Sequence, residues 1–454
     1  IINITTGLLI ILSSFFSHAE DSQFTSAHFS GSGNCSQCHD GLTDVSGNDV
    51  SIVRDWGASM MANSTKDPFW RAKIESELKR NAHLSTVIND KCTQCHAPMA
   101  NYEIKQAGDD EITLFGEDGI LNPNHTYYDA AMNGVSCTVC HQIEDDASLG
   151  TLDGFSGKYK FNDSKTLYGQ YNDVSIQPML NSTGYTPAYS AHVSDSAMCA
   201  TCHNLKTPFV DAQGNLLTTT ADTEFPEQMP YTEWQHSIFD DAGSNPQSCQ
   251  DCHMPTTTSI VSTRPQTLSA RSGFAKHELV GGNTVMLNLL KENAAQLDVT
   301  SSSSDLDTAI SRSRDMLQSS VSVEIESVSV NEDILQAIVS LQNNSGHKTP
   351  SGYPSRRMWL HFVVTDSDNN IVFESGRINA DGSIAGADND TDQRLFEPHY
   401  ELITTQDQVQ IYEPVMGDSD SNITYTLLRG AQYLKDNRLT PRGFDKLAVP
   451  NDVA

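Results

Sequence analysis

The sequence has little positive charge and no cysteine outside one repeated motif. It contains 28 Lys and Arg residues against 58 Asp and Glu residues, for a formal net charge of -30. Such a field repels phosphate and acidic lipid head groups, so we expect no binding to nucleic acid or to an anionic bilayer. A partner protein with a basic docking patch is favoured instead.

Apolar and aromatic residues are also scarce. Aromatic residues make up 7% and hydrophobic residues 37% of the 454 positions. Both fractions are low for a chain long enough to form two or three domains, which indicates that something other than side chains fills part of the interior. No apolar run is long enough to span a bilayer, so no integral membrane segment is predicted. The sequence also lacks a phosphate-binding loop, a nucleophile elbow and an H-E-x-x-H zinc motif.

The first apolar run, residues 8–16, lies near the start of the chain. Ser17 and Ala19 follow it with the small residues that a signal peptidase requires. Residues 1–19 are therefore predicted to be a secretory signal peptide. Because this segment has no initial Met and no basic residue, and because the chain stops at Ala454 without an obvious end signal, we expect the sequence to be incomplete.

All ten cysteines belong to five C-x-x-C-H motifs, which leaves none for disulfides. The motif residues are Cys35, Cys38 and His39; Cys92, Cys95 and His96; Cys137, Cys140 and His141; Cys199, Cys202 and His203; and Cys249, Cys252 and His253. Two thiols at this spacing reach both vinyl groups of one porphyrin, while the adjacent imidazole enters an axial position of the iron. Zinc and thiol-disulfide sites also use C-x-x-C, but neither requires a His after every second Cys. The sequence therefore predicts five haem c groups.

Each haem iron takes two axial ligands, and the motif supplies only the proximal one. Nine further histidines lie outside the motifs and the predicted signal peptide. The five predicted distal ligands are His28, His125, His192, His277 and His347. The first three lie in short loops that precede a motif by seven to twelve residues, the fourth stands before a predicted helix start, and the last sits in a turn rich in Gly and Pro. The alternatives are His83, His236, His361, His399 and Met60.

The motifs also organise the chain. Residues 20–275 are predicted to form a loop-rich, mainly α multihaem domain, because the motifs are 45 to 62 residues apart and only short helical patterns such as residues 70–81 lie between them. Residues 276–318 are predicted to be a helical connector packed on that domain. Asn283 is its expected first N-cap, and a second helix is expected over about residues 305–317.

After residue 319 the pattern changes to alternation. Residues 321–325, 334–341, 358–364 and 371–374 are predicted strands, with turns at residues 331–333 and 366–370. Residues 319–454 are therefore predicted to form a β-sandwich-like domain, which makes the whole chain α+β.

The residues around Cys137, Cys199 and Cys249 resemble a known family, the multihaem cytochromes related to the nitrifier tetrahaem carrier that accepts electrons from hydroxylamine oxidoreductase. The turn at His347 with residues 354–357 resembles the carboxy-terminal β domain of larger members. The resemblance implies a periplasmic or cell-surface location, stacked haem pairs and electron transfer. This chain departs from the tetrahaem pattern by its fifth motif and its added β domain, so the particular partner is not carried over.

Three functions remain open from the sequence. The favoured one is an electron carrier, rather than an enzyme with its own substrate, in which the haems are mostly bis-His. The second is a multihaem reductase of a nitrogen or sulfur oxyanion, which needs one haem with an open distal position beside proton donors. The third is a structural or filament-forming cytochrome in which the β domain joins subunits.

Overall fold

The computed structural model describes residues 22–218 and 220–454. The predicted signal peptide, residues 1–19, lies outside the described residues. The helices are α1 (Ser32–His39), α2 (Ile52–Gly57), α3 (Pro68–Arg80), α4 (Ser85–His96), α5 (Pro98–Gln106), α6 (Tyr128–Met132), α7 (Cys137–Cys140), α8 (Ile176–Thr183), α9 (Ser196–His203), α10 (Pro230–Trp234), α11 (Cys249–His253), α12 (Thr284–Glu292), α13 (Ser303–Ser320) and α14 (Asp388–Thr391).

Strands lie between the later helices and dominate the last third of the chain. They are β1 (Thr166–Gly169), β2 (Thr186–Tyr189), β3 (Leu205–Thr207), β4 (Phe225–Gln228), β5 (Thr256–Ser259), β6 (Arg271–Ala275), β7 (Val321–Asn331), β8 (Ile334–Asn343), β9 (Met358–Trp359), β10 (Phe362–Thr365), β11 (Ile371–Ser375), β12 (Ile411–Tyr412), β13 (Pro414–Gly417) and β14 (Gln432–Asp436). The mixed α+β class is confirmed.

Local chemistry explains where the main helices begin. The Asp67 side chain accepts hydrogen bonds from the backbone of Phe69 and Trp70, and Pro68 occupies the first turn of α3. Ser302 caps α13 in the same way. The helices predicted over residues 70–81 and 305–317 are both present, each a few residues longer at one or both ends.

The strands pair into separate two-stranded ribbons in the described residues. In the last third of the chain the pairs are β7 with β8, β9 with β12, β10 with β11, and β13 with β14. This differs from the two continuous sheets of the predicted sandwich. The physical reason is strand length: beyond β8 each strand is two to five residues long, so none extends far enough to build a wide sheet.

The C-terminal residues pack back onto the segment around the fourth motif. The Val210 N–H donates to the Leu428 carbonyl at 2.7 Å, and the Ile238 N–H donates to the Arg442 carbonyl at 2.8 Å. Lys206, which is buried, lies 2.6 Å from an Asp452 carboxylate oxygen. In residues 22–218 and 220–454, no helix combines the length and the apolar character needed to cross a membrane.

Candidate haem-binding cavity

Each C-x-x-C-H motif occupies the C-terminal end of a helix, namely α1, α4, α7, α9 or α11. On a helix, residues three and four apart lie on one face. The two thiols and the imidazole of a motif therefore point in one direction, as attachment of a porphyrin requires. The local fold satisfies the geometric condition that the sequence spacing implies.

All fifteen motif residues line one continuous cavity of about 2030 Å³. A site for one drug-sized molecule occupies roughly 300–1,000 Å³, so this cavity has room for several large ligands. Its ten cysteines form no disulfide. In the described residues no group of three or more His, Cys, Asp or Glu side chains converges as a zinc site would require. Paired thiols outside disulfides, an adjacent imidazole and a large shared cavity fit covalently bound haem.

Thiols of different motifs touch one another. Cys35 is hydrogen-bonded to Cys137, and Cys199 to Cys249. These contacts join the first motif to the third and the fourth to the fifth.

The second motif is connected to the other motifs through the fourth. Cys95 is hydrogen-bonded to Cys202, and Cys140 interacts electrostatically with Cys202. The fourth motif therefore adjoins the second, the third and the fifth. All five motifs form one connected, branched network with the fourth motif at its centre, and electron transfer between cofactors requires such proximity.

The imidazoles of four motifs are held in one tautomer. Each Nδ1–H donates to a backbone carbonyl: His39 to Val261 at 2.9 Å, His96 to Ser64 at 3.2 Å, His141 to Tyr168 at 2.6 Å and His253 to Val280 at 2.5 Å. This leaves Nε2 unprotonated, as an iron ligand must be. Burial lowers the pKa of His96 and of His203 to about 4, so both rings are neutral at pH 7.

Two histidines outside the motifs lie near motif histidines, with their rings nearly parallel. The ring centres of His277 and His141 are 6.3 Å apart with 24° between their planes. Those of His347 and His253 are 6.4 Å apart with 13° between their planes. An imidazole nitrogen binds a first-row metal at about 2.0–2.1 Å and lies roughly 1.1 Å from its ring centre, so two imidazoles on one iron have centres about 6.3 Å apart. Both pairs have this separation.

The two opposing rings also share the tautomer of the motif imidazoles. His277 Nδ1 donates to the Ala275 carbonyl at 3.0 Å, and His347 Nδ1 to the Lys348 carbonyl at 3.1 Å. Burial lowers the pKa of His277 to about 3 and also lowers that of His347. Each ring is therefore neutral, with its Nε2 free of other partners in the described residues.

A buried ionic network holds the turn of His347. The Lys348 N–H donates to Glu233 Oε2 at 2.9 Å, and its Nζ donates to Asp436 at 2.8 Å. Arg438 bridges Glu233 and Asp436 at 3.1 and 2.8 Å. The partners come from α10 and from the end of β14, so two separate parts of the chain hold the turn.

Gly346 allows this turn for a reason of space. A Cβ placed on it would lie 2.9 Å from the Trp234 ring, which is closer than carbon atoms approach one another. The glycine is therefore required by the close approach of the tryptophan and not by a left-handed backbone.

His28, the first of the other three predicted ligands, does not line the cavity. Its Nδ1 donates to the buried Glu103 at 3.0 Å, and its Nε2 has no partner in the described residues. A carboxylate behind an imidazole is the usual second partner of a metal-bound histidine.

His125 and His192 are engaged differently. The Tyr127 N–H donates to His125 Nδ1 at 3.1 Å, and His192 Nε2 lies 2.9 Å from the Ile143 carbonyl. Neither residue lines the cavity, and neither presents a free, unprotonated Nε2. Ligation by His28, His125 and His192 stays a prediction.

The cavity wall beside Cys92 carries ionisable residues that the sequence argument missed. Glu77 and Glu227 are 3% and 4% exposed, and both line the cavity with Tyr353. Glu77 Oε1 lies 3.1 Å from Lys73 Nζ. Oε2 of each glutamate is buried without a hydrogen-bond partner in the described residues.

Burial, with the Glu77 carboxylate adding to its effect, raises the pKa of Glu227 to about 7. Burial also raises the pKa of Tyr353. The sequence does hold one signal: Glu77 follows Trp70 and Ile74 at helical spacing, so a carboxylate occupies the buried face of α3.

Neither a protein-family model nor a curated protein sequence matches the chain. Among solved structures, the chain is similar to a penta-haem cytochrome c552 from Thermochromatium tepidum, with a TM-score of 0.53 and 18% identity. The similarity covers 92% of this chain and 86% of that chain. At this identity the likeness is one of fold, and the fold is that of a solved penta-haem cytochrome.

Proposed function

We propose that the chain is an exported pentahaem c-type cytochrome that transfers electrons. The observation that carries this proposal is the single cavity that all five motifs line, with thiols of neighbouring motifs in contact. Haem iron, when bound, supplies the one-electron chemistry, and the protein holds, orients and shields it. The fold of a penta-haem cytochrome supports the same assignment.

The residues that would hold each haem follow from the motifs. The ten thiols bind the porphyrins, and the five motif histidines are the proximal ligands. His277 is the proposed distal ligand opposite His141, and His347 the one opposite His253, because both pairs have the ring separation of two imidazoles on one metal.

His28, His125 and His192 are the proposed distal ligands of the remaining three irons. Glu103 supports the role of His28, since it fixes the tautomer that leaves Nε2 free. His125 and His192 would need to exchange their present hydrogen bonds to ligate through Nε2.

The location and the partner belong to the same proposal. Haem attachment at C-x-x-C-H requires export in the family that the sequence resembles, so the protein is placed in the periplasm or at the cell surface. The acidic net charge favours a redox partner with a basic patch. Residues 20–275 are the proposed haem domain, residues 276–318 the connector and residues 319–454 the β-rich domain.

The haem count tests the proposal. A pyridine haemochrome assay on fully matured, quantified protein is expected to give five haems per chain. Four or fewer would contradict it. Recovery of the holoprotein from the cytosolic fraction would contradict the export.

A second function, reduction of a nitrogen or sulfur oxyanion, is favoured by one observation. The buried pair Glu77 and Glu227, with Tyr353 beside it, lines the cavity next to the second motif. Breaking a bond from nitrogen or sulfur to oxygen consumes protons as well as electrons, and a carboxyl group with a pKa of about 7 donates them readily at neutral pH.

CO binding separates this function from the first. A reductase is expected to bind one CO per chain when reduced and to reduce nitrite. If the protein is a reductase, Glu227→Gln should lower its rate of nitrite reduction by at least about 100-fold and leave CO binding unchanged. A wild type that binds neither CO nor nitrite would exclude this second function and leave the carrier.

A further inference from the structure

The β7–β8 ribbon has one largely apolar face, and much of this face is exposed. The register pairs Val323 with Leu341, Ile325 with Val339 and Val330 with Leu335. The nine apolar residues on this face are Val321, Val323, Ile325, Val328, Val330, Leu335, Ala337, Val339 and Leu341. Five of these side chains are 48% to 67% exposed.

A β-bulge keeps this face continuous. The register shifts between Ile325 and Ser327, so Glu326 is an extra residue on β7. Without that shift, Val328 and Val330 would point to the opposite face, because side chains alternate along a strand. The bulge therefore aligns the apolar residues of both halves of the ribbon.

The base of the ribbon is anchored to the rest of the chain. Asn343, which is buried, donates to the His347 and Leu439 carbonyls at 2.7 and 2.9 Å. An isolated two-stranded ribbon is at best marginally stable in water, and its edges are open to pairing. A long ribbon with one complete apolar face is expected to be covered in the working protein.

We propose that a second copy of this chain packs its own β7–β8 ribbon against this face, forming a two-fold dimer. A face made of Val, Ile and Leu is self-complementary, as an isologous contact requires. Stacked ribbons about 10 Å apart would bury both apolar faces.

The buried area fits a dimer. A Val, Ile or Leu side chain offers on the order of 100 Å² of apolar surface, so one face offers about 400 Å² and two faces about 800 Å². Interfaces are about 56–65% apolar, so this corresponds to roughly 1,200–1,400 Å² in total. That value lies within the standard range of about 1,200–2,000 Å².

Three of the four charges of the ribbon lie away from the contact. Residues 321–343 carry four carboxylates and no Lys or Arg. Glu324 lies on the polar face, Glu326 is the extra residue of the bulge, and Glu332 and Asp333 form the turn at the tip. In an antiparallel stack the two tips are about 35 Å apart, well beyond the Debye length of about 8 Å. The same carboxylates disfavour an anionic lipid surface as the occupant.

Sedimentation equilibrium of the mature holoprotein tests this proposal, from about 1 to about 100 μM, where interfaces of this size associate. The wild type is expected to dimerise. Ile325→Lys places a charge on the apolar face and should weaken the dimer at least about tenfold. Ser329→Lys makes the same charge change on the polar face and should leave it unaffected. Both residues are exposed, and the haem content of each variant verifies that it has folded.

A wild type that is monomeric throughout the range would overturn the proposal, as would equal behaviour of the two variants. A monomer that binds a different protein through this face would also overturn it. The proposal does not rest on the number of haems, so its failure leaves the proposed function standing.

Discussion

The third and fifth motifs face histidines across the cavity, whereas the wall beside the second motif carries buried carboxylates and a phenol. At the third and fifth motifs the two neighbouring rings have the separation of two imidazoles on one iron, for example 6.4 Å between the ring centres of His253 and His347. Beside Cys92, Glu77 and Glu227 each leave a buried oxygen without a partner. The difference teaches that one cavity contains both motifs with a neighbouring second imidazole, which suits six-coordinate iron, and a wall suited to holding protons.

The fourth motif connects these two kinds of site, so its removal should have the largest effect. Replacing Cys199 and Cys202 by Ala is expected to lower the haem count by one per chain. It should also remove the connection of the second and fifth motifs to the others. The haemochrome assay measures the first effect, and stopped-flow reduction of the remaining haems measures the second. An unchanged course of reduction would show that the second motif has another connection to the rest.

The buried carboxyl group of Glu227 in the cavity wall should make the free energy of unfolding depend on pH. Glu227 has a folded pKa of about 7 against an ordinary value of 4.5. The folded state therefore binds the proton more tightly, and this contribution is lost as the pH rises through about 7. Between pH 5 and pH 8 the wild type should lose about 3 kcal/mol of unfolding free energy that Glu227→Gln does not lose. Chemical denaturation measures the unfolding free energy at each pH. The same pH dependence in both proteins would contradict the raised pKa of Glu227.

The turn that positions His347 near the fifth motif depends on the close approach of Gly346 to Trp234. Gly346→Ala places a methyl group 2.9 Å from the indole and should cost about 1–3 kcal/mol. Gly281→Ala is the matched control, since its nearest neighbour would be a side-chain nitrogen of Asn283 at 3.4 Å. Thermal unfolding of the holoproteins measures both. Equal melting temperatures of the two variants would show that the turn of His347 accommodates the added methyl group without a loss of stability.

The smallest expected effect concerns His28, which lies outside the cavity wall. Glu103→Gln weakens the hydrogen bond to its Nδ1 and makes the imidazole a poorer donor to ferric iron. One haem potential should then rise by on the order of 50 mV, as judged by spectropotentiometry. If all potentials are unchanged, the proposed ligation of one iron by His28 is contradicted.

Sequence patterns predicted the elements that local chemistry determines. The apolar spacing in α3 and α13, and the alternation in β7 and β8, each predicted an element that is present. The turns at residues 331–333 and 366–370 are also present, because their Asn and Asp residues favour them.

The arrangement of distant segments could not be predicted in the same way. The hydrogen bond of His192 depends on the carbonyl of Ile143, and the wall beside Cys92 joins α3, β4 and the turn of Tyr353. No sequence spacing relates residues that are 49 or more positions apart. The predicted sandwich differs from the separate ribbons because alternation identifies strands but not their partners.

Quantitative EPR of the oxidised protein tests the central claim most directly, namely that His277 and His347 close the third and fifth sites. The measurement compares the wild type with the double variant His277→Ala and His347→Ala. His83→Ala is the control, because its Nε2 is bonded to the Gly214 carbonyl at 2.9 Å. The account predicts two more high-spin ferric haems per chain in the double variant than in the wild type and the control. An unchanged high-spin count in the double variant would contradict it.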